Sequence, residues 1–284
     1  RKKRRVGIGI LGWGSALFMM KIRFGSEQAA DLRDQVMRTI AREAYMSSIE
    51  LAEEKGMFEF CEPEKHAEGV FVNNLNLPKE YMDKLRATGI RNSSLLSIQP
   101  TGNTSIQANI VSGGLEPIFM PEYIRTVIVN TMPDEIADVC PKWYEGEWNE
   151  TSMFKFAKEG DEDILKGKHN GITYKIDRNR GLTKEVLCQD YGVRWLAERG
   201  EWDPKADWAV TTMNMTVADH VKDLQGFARW VDSAMSKTVN VPQDYSFEKF
   251  KDIYLDSFKS GVVKGVTTYR SGTMTTVLAA KDEK

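Results

Sequence analysis

Histidine and cysteine are scarce in this sequence, and the few present lie scattered. His66, His169 and His220 stand at no i, i+3 or i+4 spacing from one another or from a cysteine, so no zinc site is expected from this chain alone. Cys61, Cys140 and Cys188 are odd in number and far apart, which fits a reducing cytoplasm rather than a disulfide scaffold. Excess charge of one sign is also missing. The 39 Lys and Arg balance 41 Asp and Glu, for a net charge of −2, and after residue 5 the two signs are interspersed nearly everywhere. That removes the electrostatic case for a dedicated nucleic-acid binder. The apolar stretch Val6–Met20 is broken by Gly7, Gly9, Gly12 and Gly14 and falls short of the roughly 18 apolar residues a membrane span needs. No internal repeat or low-complexity segment is present.

The opening RKKRRVGIGILGWGSALFMM imitates two parts of a secretory signal, a charged start and an apolar middle. It lacks the small-residue cleavage site, because Ala16 has no A-x-A partner and the run passes straight into Lys21 and Arg23. Five basic residues at a terminus also fit a nuclear-import patch or a plain solvated end. Residue 1 is Arg with no Met before it, so the expectation is a fragment or a processed chain.

At 284 residues, 41% hydrophobic and 28% charged, the chain has the make-up of a soluble globular protein with one sizeable core or two small ones. Ser26 reads as an N-cap, and Ala29, Leu32, Val36, Ile40 and Ala44 recur at helical spacing, so a helix over 27–55 stopped by Gly56 is predicted. A shorter helix follows Pro78, with Tyr81 and Leu85 on one face and Gly89 as its stop. LLSIQ, 95–99, is a strand candidate that runs through PTGNTS into IQANIV, which can start a helix. Residues 123–206 read as an inserted excursion of mixed strand and helix. It carries Trp143, Trp148, Trp195 and Trp202, read as ordinary packing rather than a stacking platform, and a hairpin signal at Asn170-Gly171. Helical spacing resumes from Thr216 through Val217, Val221, Leu224, Ala228 and Val231. KTVNV then reads as a strand, Phe247, Phe250, Tyr254 and Phe258 as a helix, and GVTTY as a strand. Helices alternating with short strands predict an α/β fold with a parallel sheet.

The strongest chemical signal is SIQPTGNTSIQANIVSGGLEP, 97–117. A strand end delivers Pro100, Thr101, Gly102, Asn103, Thr104 and Ser105 to a helix start, where main-chain N–H groups and short hydroxyls converge on the positive end of the helix dipole. That suits a phosphate. It equally suits an N-cap turn whose side chains satisfy the free amides. On local pattern alone the cap stands ahead, because the stretch has neither the Walker Lys nor a full G-x-G-x-x-G.

GIRNSSLLSIQPTGNTSIQANIVSGGLEP resembles the substrate-phosphate segment of ribonucleotide reductase large subunits, in the adenosylcobalamin-dependent (class II) form. RRVGIGILGWGSAL resembles that family's R-R-apolar-G-[IL]-G junction, and IELAEEKG follows at the family's usual place. SAMSKTVNVP and FKDIYLDSFKSGVVKGVTTYRSGT are similar to its last barrel strands and the helix between them. The resemblance covers 1–122 and 207–278 in order; the excursion fits it less well.

The resemblance implies the second half of a ten-stranded α/β barrel, with an inserted mixed α+β excursion. The implied domains are 1–122, 123–206 and 207–284, and RKKRR becomes an interior junction rather than an address label. It implies reduction of ribonucleoside di- or triphosphates to 2′-deoxyribonucleotides by a thiyl radical. The implied partners are the N-terminal half of the reductase, on the same or another chain, and a thioredoxin-type reductant, with no nucleic acid, no membrane and a cytoplasmic setting. The family's phosphate turn maps onto Thr101, Gly102, Asn103, Thr104 and Ser105. Glu116 and Arg91-Asn92 are expected to support it.

No N-x-C-x-E motif exists in these residues. Cys61 lies in EFCEP, Cys140 in DVCPK and Cys188 in VLCQD, so no catalytic residue is assigned and each cysteine reads as a core or surface thiol. The paired tyrosines that relay a radical from a second protein in other classes fall here on Thr267 and Thr268, with Tyr269 out of register. Their absence points to a radical made on the spot from adenosylcobalamin, with Val266, Thr267 and Thr268 expected to wall the cofactor. The alternative is a non-catalytic complementing half, inactive without its partner.

Overall fold

The structure, a computed structural model, describes residues 2–129, 154–159, 162–169, 171–177, 181–270 and 278–280. Two compact units emerge: Arg1–Pro121 with Asp190–Met274, and Glu122–Gln189 with Thr275–Lys284.

The first unit begins with α1 (Trp13–Met19) and α2 (Glu27–Lys55). The Ser26 side chain accepts from Ala29 N–H at 3.1 Å, and Gly56 ends α2 at φ 80°; only glycine adopts that conformation without a Cβ penalty. The helix has the predicted bounds, yet its buried face is rotated. Arg33, Met37, Ala41, Tyr45 and Ile49 form the buried stripe, while Leu32, Ile40 and Ala44 flank it, partly covered. Polar partners cause the rotation: Arg33 pairs with Asp223 at 3.4 Å, and the Tyr45 hydroxyl donates to Asp232 at 2.8 Å. Gly226 permits the first, because a Cβ there would lie 2.1 Å from the Arg33 guanidinium carbon.

Short helices α3 (Pro63–Ala67) and α4 (Val70–Asn74) lead to α5 (Lys79–Thr88), which Pro78 starts and Gly89 stops, as the sequence predicts. The expected helix at IQANIV differs. The turn itself is helical as α6 (Gly102–Gln107), and the chain then leaves helical geometry at Asn109 and Ile110, both at positive φ.

Among the described residues the second unit is antiparallel sheet. Strands β1 (Glu122–Ile128), β2 (Phe154–Glu159), β3 (Glu162–His169), β4 (Ile172–Asp177) and β5 (Gly181–Gln189) pair in the order β2-β3-β4-β5-β1. Leu278–Ala280, the last strand, β8, adds to the β1 edge. His169 pairs with Ile172 across the predicted tight turn, and Gly171 has φ 78°; Asn170 lies outside the described residues, as do Cys140, Trp143 and Trp148.

Residues 190–206, read from sequence as part of the excursion, group instead with the first unit. Asp190 explains this. It caps helix α7 (Tyr191–Ala197) by accepting from Gly192 N–H, and its other oxygen accepts from the Ser15 hydroxyl, each at 2.8 Å. Burial pushes the Asp190 carboxyl up to about 6 against these bonds. Trp195, Trp202 and Trp208 pack with Phe18, Val193 and Leu196 in one apolar cluster.

The chain closes with α8 (Val217–Ala228), β6 (Thr238–Val241), α9 (Phe247–Lys259) and β7 (Thr267–Arg270). Thr216 and Ser246 cap the two helices through their hydroxyls. On α9 the aromatic residues that mark the helix do not make up its buried face. Ile253 and Ser257 are buried and Phe250 packs inward, whereas Phe247 and Phe258 are 74% and 82% exposed.

The parallel segments run side by side. A parallel bridge joins Ile8 to Leu96, another joins Ile98 to Met235, and β6 pairs with β7 in parallel. Helical crossovers separate them, as parallel strands require. Among the described residues these segments do not close into a barrel. No helix there is long and apolar enough to cross a membrane.

Candidate functional site

The parallel segment 95–98 ends at Pro100, and the backbone then turns sharply. Thr101 sits in the left-handed region at φ 52°, ψ 22°, a conformation a β-branched residue keeps only when its surroundings fix it. They do. The Thr101 hydroxyl oxygen accepts from Gly114 N–H at 2.7 Å, and its carbonyl accepts from Ser105 N–H at 2.8 Å. The segment behind the turn is pressed close: a Cβ on Gly113 would stand 2.8 Å from Pro100 O, and one on Gly114, at φ 47°, 2.8 Å from Gln99 O.

This sorts the five predicted phosphate residues. Thr101 braces the turn, and the buried Ser105 hydroxyl donates back to Gly102 O at 3.2 Å. Gly102, Asn103 and Thr104 are exposed and precede the first intrahelical amide bond, so their N–H groups point away from the helix body. Gly102 is the unusual member. Its φ is outside the left-handed region, and a Cβ there would meet nothing within 4 Å. Neither backbone strain nor packing within the chain demands glycine at this position.

Thr101→Val keeps the shape and removes the acceptor for Gly114 N–H. Unsatisfied, that amide costs about 1–3 kcal/mol, so urea denaturation should show a loss of that size, restored by Thr101→Ser; an unchanged midpoint would refute the brace.

Val266, Thr267 and Thr268 do not share one face. Val266 packs against the cluster of Leu224, Val239, Val241 and Ile253, and Thr268 Oγ1 lies 3.1 Å from the Tyr254 hydroxyl of α9. Strand alternation therefore turns Thr267 and Tyr269 to the opposite side, where Thr267 is exposed. In the β6–β7 register Thr267 lies opposite Thr238 and Tyr269 opposite Asn240.

Of the expected supports, Glu116 reaches β6: its carboxylate accepts from Thr238 N–H at 2.6 Å and from Lys237 Nζ at 2.9 Å. Arg91 and Asn92 serve another place. Arg91 donates to Lys55 O and Gly56 O at the end of α2, and the Asn92 amide donates to Arg4 O. Asp232, which no motif marks, anchors the start of the 95–98 segment by accepting from Leu95 and Leu96 N–H at 2.8 and 2.9 Å. Cys61 and Cys188 are buried, and burial pushes both thiols up, away from the reactive thiolate. Among the described residues no group of three or more His, Cys, Asp or Glu could hold a metal ion.

A family described as "Ribonucleotide reductase, barrel domain" matches residues 1–269. A vitamin B12-dependent ribonucleoside-diphosphate reductase of Mycobacterium tuberculosis is 25% identical over 283 residues, covering 96% of this chain and 32% of that protein. The Thermoplasma acidophilum protein of that name is 27% identical over 282 residues, covering 97% and 29%. The ribonucleoside-diphosphate reductase large chain of Schizosaccharomyces pombe is 33% identical over 278 residues, covering 95% and 30%. The chain thus spans roughly a third of the length of these relatives. Among solved structures, the class Id ribonucleotide reductase alpha subunit of Actinobacillus ureae superposes with a TM-score of 0.57 at 16% identity, covering 95% of this chain and 40% of that one.

Proposed function

The chain belongs to the ribonucleotide reductase barrel family, and from that premise we propose that it forms the substrate-phosphate side of a ribonucleotide reductase of the adenosylcobalamin-dependent kind. The substrate class is a ribonucleoside diphosphate, following the names of the relatives. In this reading the chain is the second half of a ten-stranded α/β barrel. The first half, the thiyl-forming cysteine and the reducing cysteine pair come from outside these residues, and a thioredoxin-type donor reduces that pair.

The amides of Gly102, Asn103 and Thr104 would receive the diphosphate, with Thr101 and Ser105 fixing the turn from behind. Charge-assisted N–H bonds to an anion are about twice as strong as neutral ones, and fixed main-chain donors lose no side-chain freedom on binding. The observation that carries the reading is Gly102: with open space where its Cβ would be and no strained φ, glycine there makes sense if a ligand approaches that surface closely. When bound, cobalamin supplies a carbon-centred radical by homolysis of its Co–C bond. The chain's residues fit such a neighbour at Thr267, a small exposed side chain on the β6–β7 face turned away from α9. Val266 and Thr268 would support that wall from behind.

Titration of the chain with inorganic pyrophosphate and with a nucleoside diphosphate, followed by amide NMR, tests the assignment. Shifts should concentrate on residues 101–105. Gly102→Val places a branched side chain over the donors, and affinity should fall at least about tenfold, equivalent to 1.4 kcal/mol. Fold stability should stay level, since valine and glycine differ little in helix propensity. Equal affinity in the variant would refute the reading. The missing cysteine motif favours a second reading, a complementing subunit with no ligand of its own, and absence of any shift at 101–105 would select it.

A further inference from the structure

A buried ionic group lies behind the turn, and the phosphate reading alone leaves it unexplained. Lys237 is fully buried, with Nζ 2.9 Å from Glu116 Oε2, 3.1 Å from His220 Nδ1 and 5.7 Å from the centre of the Phe24 ring. A buried ammonium without a carboxylate costs several kcal/mol; Glu116 is the carboxylate it contacts directly, and the buried Asp223 feels its charge at longer range. The other Glu116 oxygen accepts from Thr238 N–H. Both oxygens are therefore engaged by consecutive residues at the start of β6. Because the lysine donates to Nδ1, the His220 ring accepts there and carries its proton on Nε2.

From Glu116 the contacts run to the turn. Glu116 N–H donates to Gly113 O at 2.7 Å, closing the 113–116 segment, and Gly114 N–H donates to Thr101 Oγ1 at 2.7 Å. At the far end Thr238 is paired in register with Thr267. We propose that Glu116, neutralised by Lys237, is a positioning residue: a strut that fixes the 101–105 turn at a set separation from the Thr238–Thr267 rung. This rests on the phosphate reading of the turn. Its role is orientation, since a donor displaced by about 1 Å loses much of its value to a bound anion. Charge matters to the strut, because glutamine keeps an acceptor for Thr238 N–H but takes away the one carboxylate that Lys237 contacts directly, leaving only the longer-range charge of Asp223.

The test uses the 284-residue chain, with pyrophosphate affinity by NMR and amide hydrogen exchange as independent readouts. Glu116→Gln and Lys237→Met should each weaken pyrophosphate binding about tenfold or more, while Lys237→Arg, which keeps the cation, should stay within about threefold. The double variant Glu116→Gln/Lys237→Met should bind no worse than the weaker single variant, because both remove one contact. Should Lys237→Met fail to fold, Glu116→Gln and Lys237→Arg carry the comparison. Glu116→Gln should also speed exchange about tenfold at Gly114 N–H as well as at Thr238 N–H. Wild-type affinity in Glu116→Gln, or faster exchange confined to Thr238, overturns the strut. If the wild type binds no pyrophosphate, the phosphate reading falls separately, and exchange at Gly114 decides whether the strut exists.

Discussion

Asp232→Ala lowers the unfolding free energy by about 3–5 kcal/mol, the largest loss expected from one side chain outside the apolar core. The Asp232 carboxylate accepts from Leu95 N–H, Leu96 N–H and the Tyr45 hydroxyl. Alanine strands all three donors, and the backbone pair cannot turn elsewhere because Leu96 is fully buried. Lys264 raises the stakes: its ammonium donates to the carbonyls of Val231, Asp232 and Ser233. The 231–233 loop thus joins α2, the 95–98 segment and the approach to β7. Burial first, and the Asp232 charge second, hold the Tyr45 phenol far above its ordinary range, so the hydroxyl remains a donor. Asp232→Asn keeps acceptor oxygen but turns an NH2 group toward a backbone N–H, and should lose about half as much. Urea denaturation of the three proteins decides it; a loss below about 1 kcal/mol for the alanine variant would show that water or a neighbour replaces the carboxylate.

How far this architecture can be read from sequence depends on how local its causes are. Helix α2 was legible because Ser26 and Gly56 act on their own neighbours. Its buried face was not, because Arg33 and Tyr45 turn inward toward partners 190 and 187 residues away. The short reach of α6 has the same origin: Ile110 is at positive φ, and its carbonyl accepts from Tyr191 N–H, a contact that no local pattern announces. On α9 the aromatic spacing marks the helix but not its buried face, since Ile253 packs with Val239 and Val241 of β6 while Phe258 is exposed. The antiparallel unit was hidden for another reason. Its strands mix charge and small residues, as in EDILKGKH, so alternation is weak and only the hairpin turn stands out. For the site, the turn at 101–105 was visible as one continuous motif, whereas Glu116 and Lys237 lie 121 residues apart.

The pH dependence of stability should expose His220. Burial first, and the neighbouring Lys237 second, push its imidazole down to about 3 from an ordinary 6.5. A base depressed on folding is neutral in both states above pH 6.5, so its contribution is intact there. Below pH 6.5 the unfolded chain takes up a proton that the folded protein refuses, and stability is lost as pH falls toward 3. Two carboxylates oppose this. Burial raises Asp190 and Asp223 to about 6 from 3.8, so each disfavours folding above pH 6 and relaxes as pH falls toward 4. Asp223 does so despite Arg33 and Lys237 nearby. The opposing trends flatten the wild-type curve between pH 4 and 6, and hide the histidine within it. His220→Gln separates them, because glutamine offers Lys237 an acceptor and does not titrate. Relative to that variant, the wild type should lose about 3 kcal/mol between pH 7 and pH 4, measured by urea denaturation across the range. A difference that stays constant with pH would mean that the folded imidazole takes up its proton as readily as the unfolded one, near pH 6.5. Below that pH its Nδ1 would carry a proton and could not accept from Lys237, and the lysine would keep the carboxylates of Glu116 and, at longer range, Asp223.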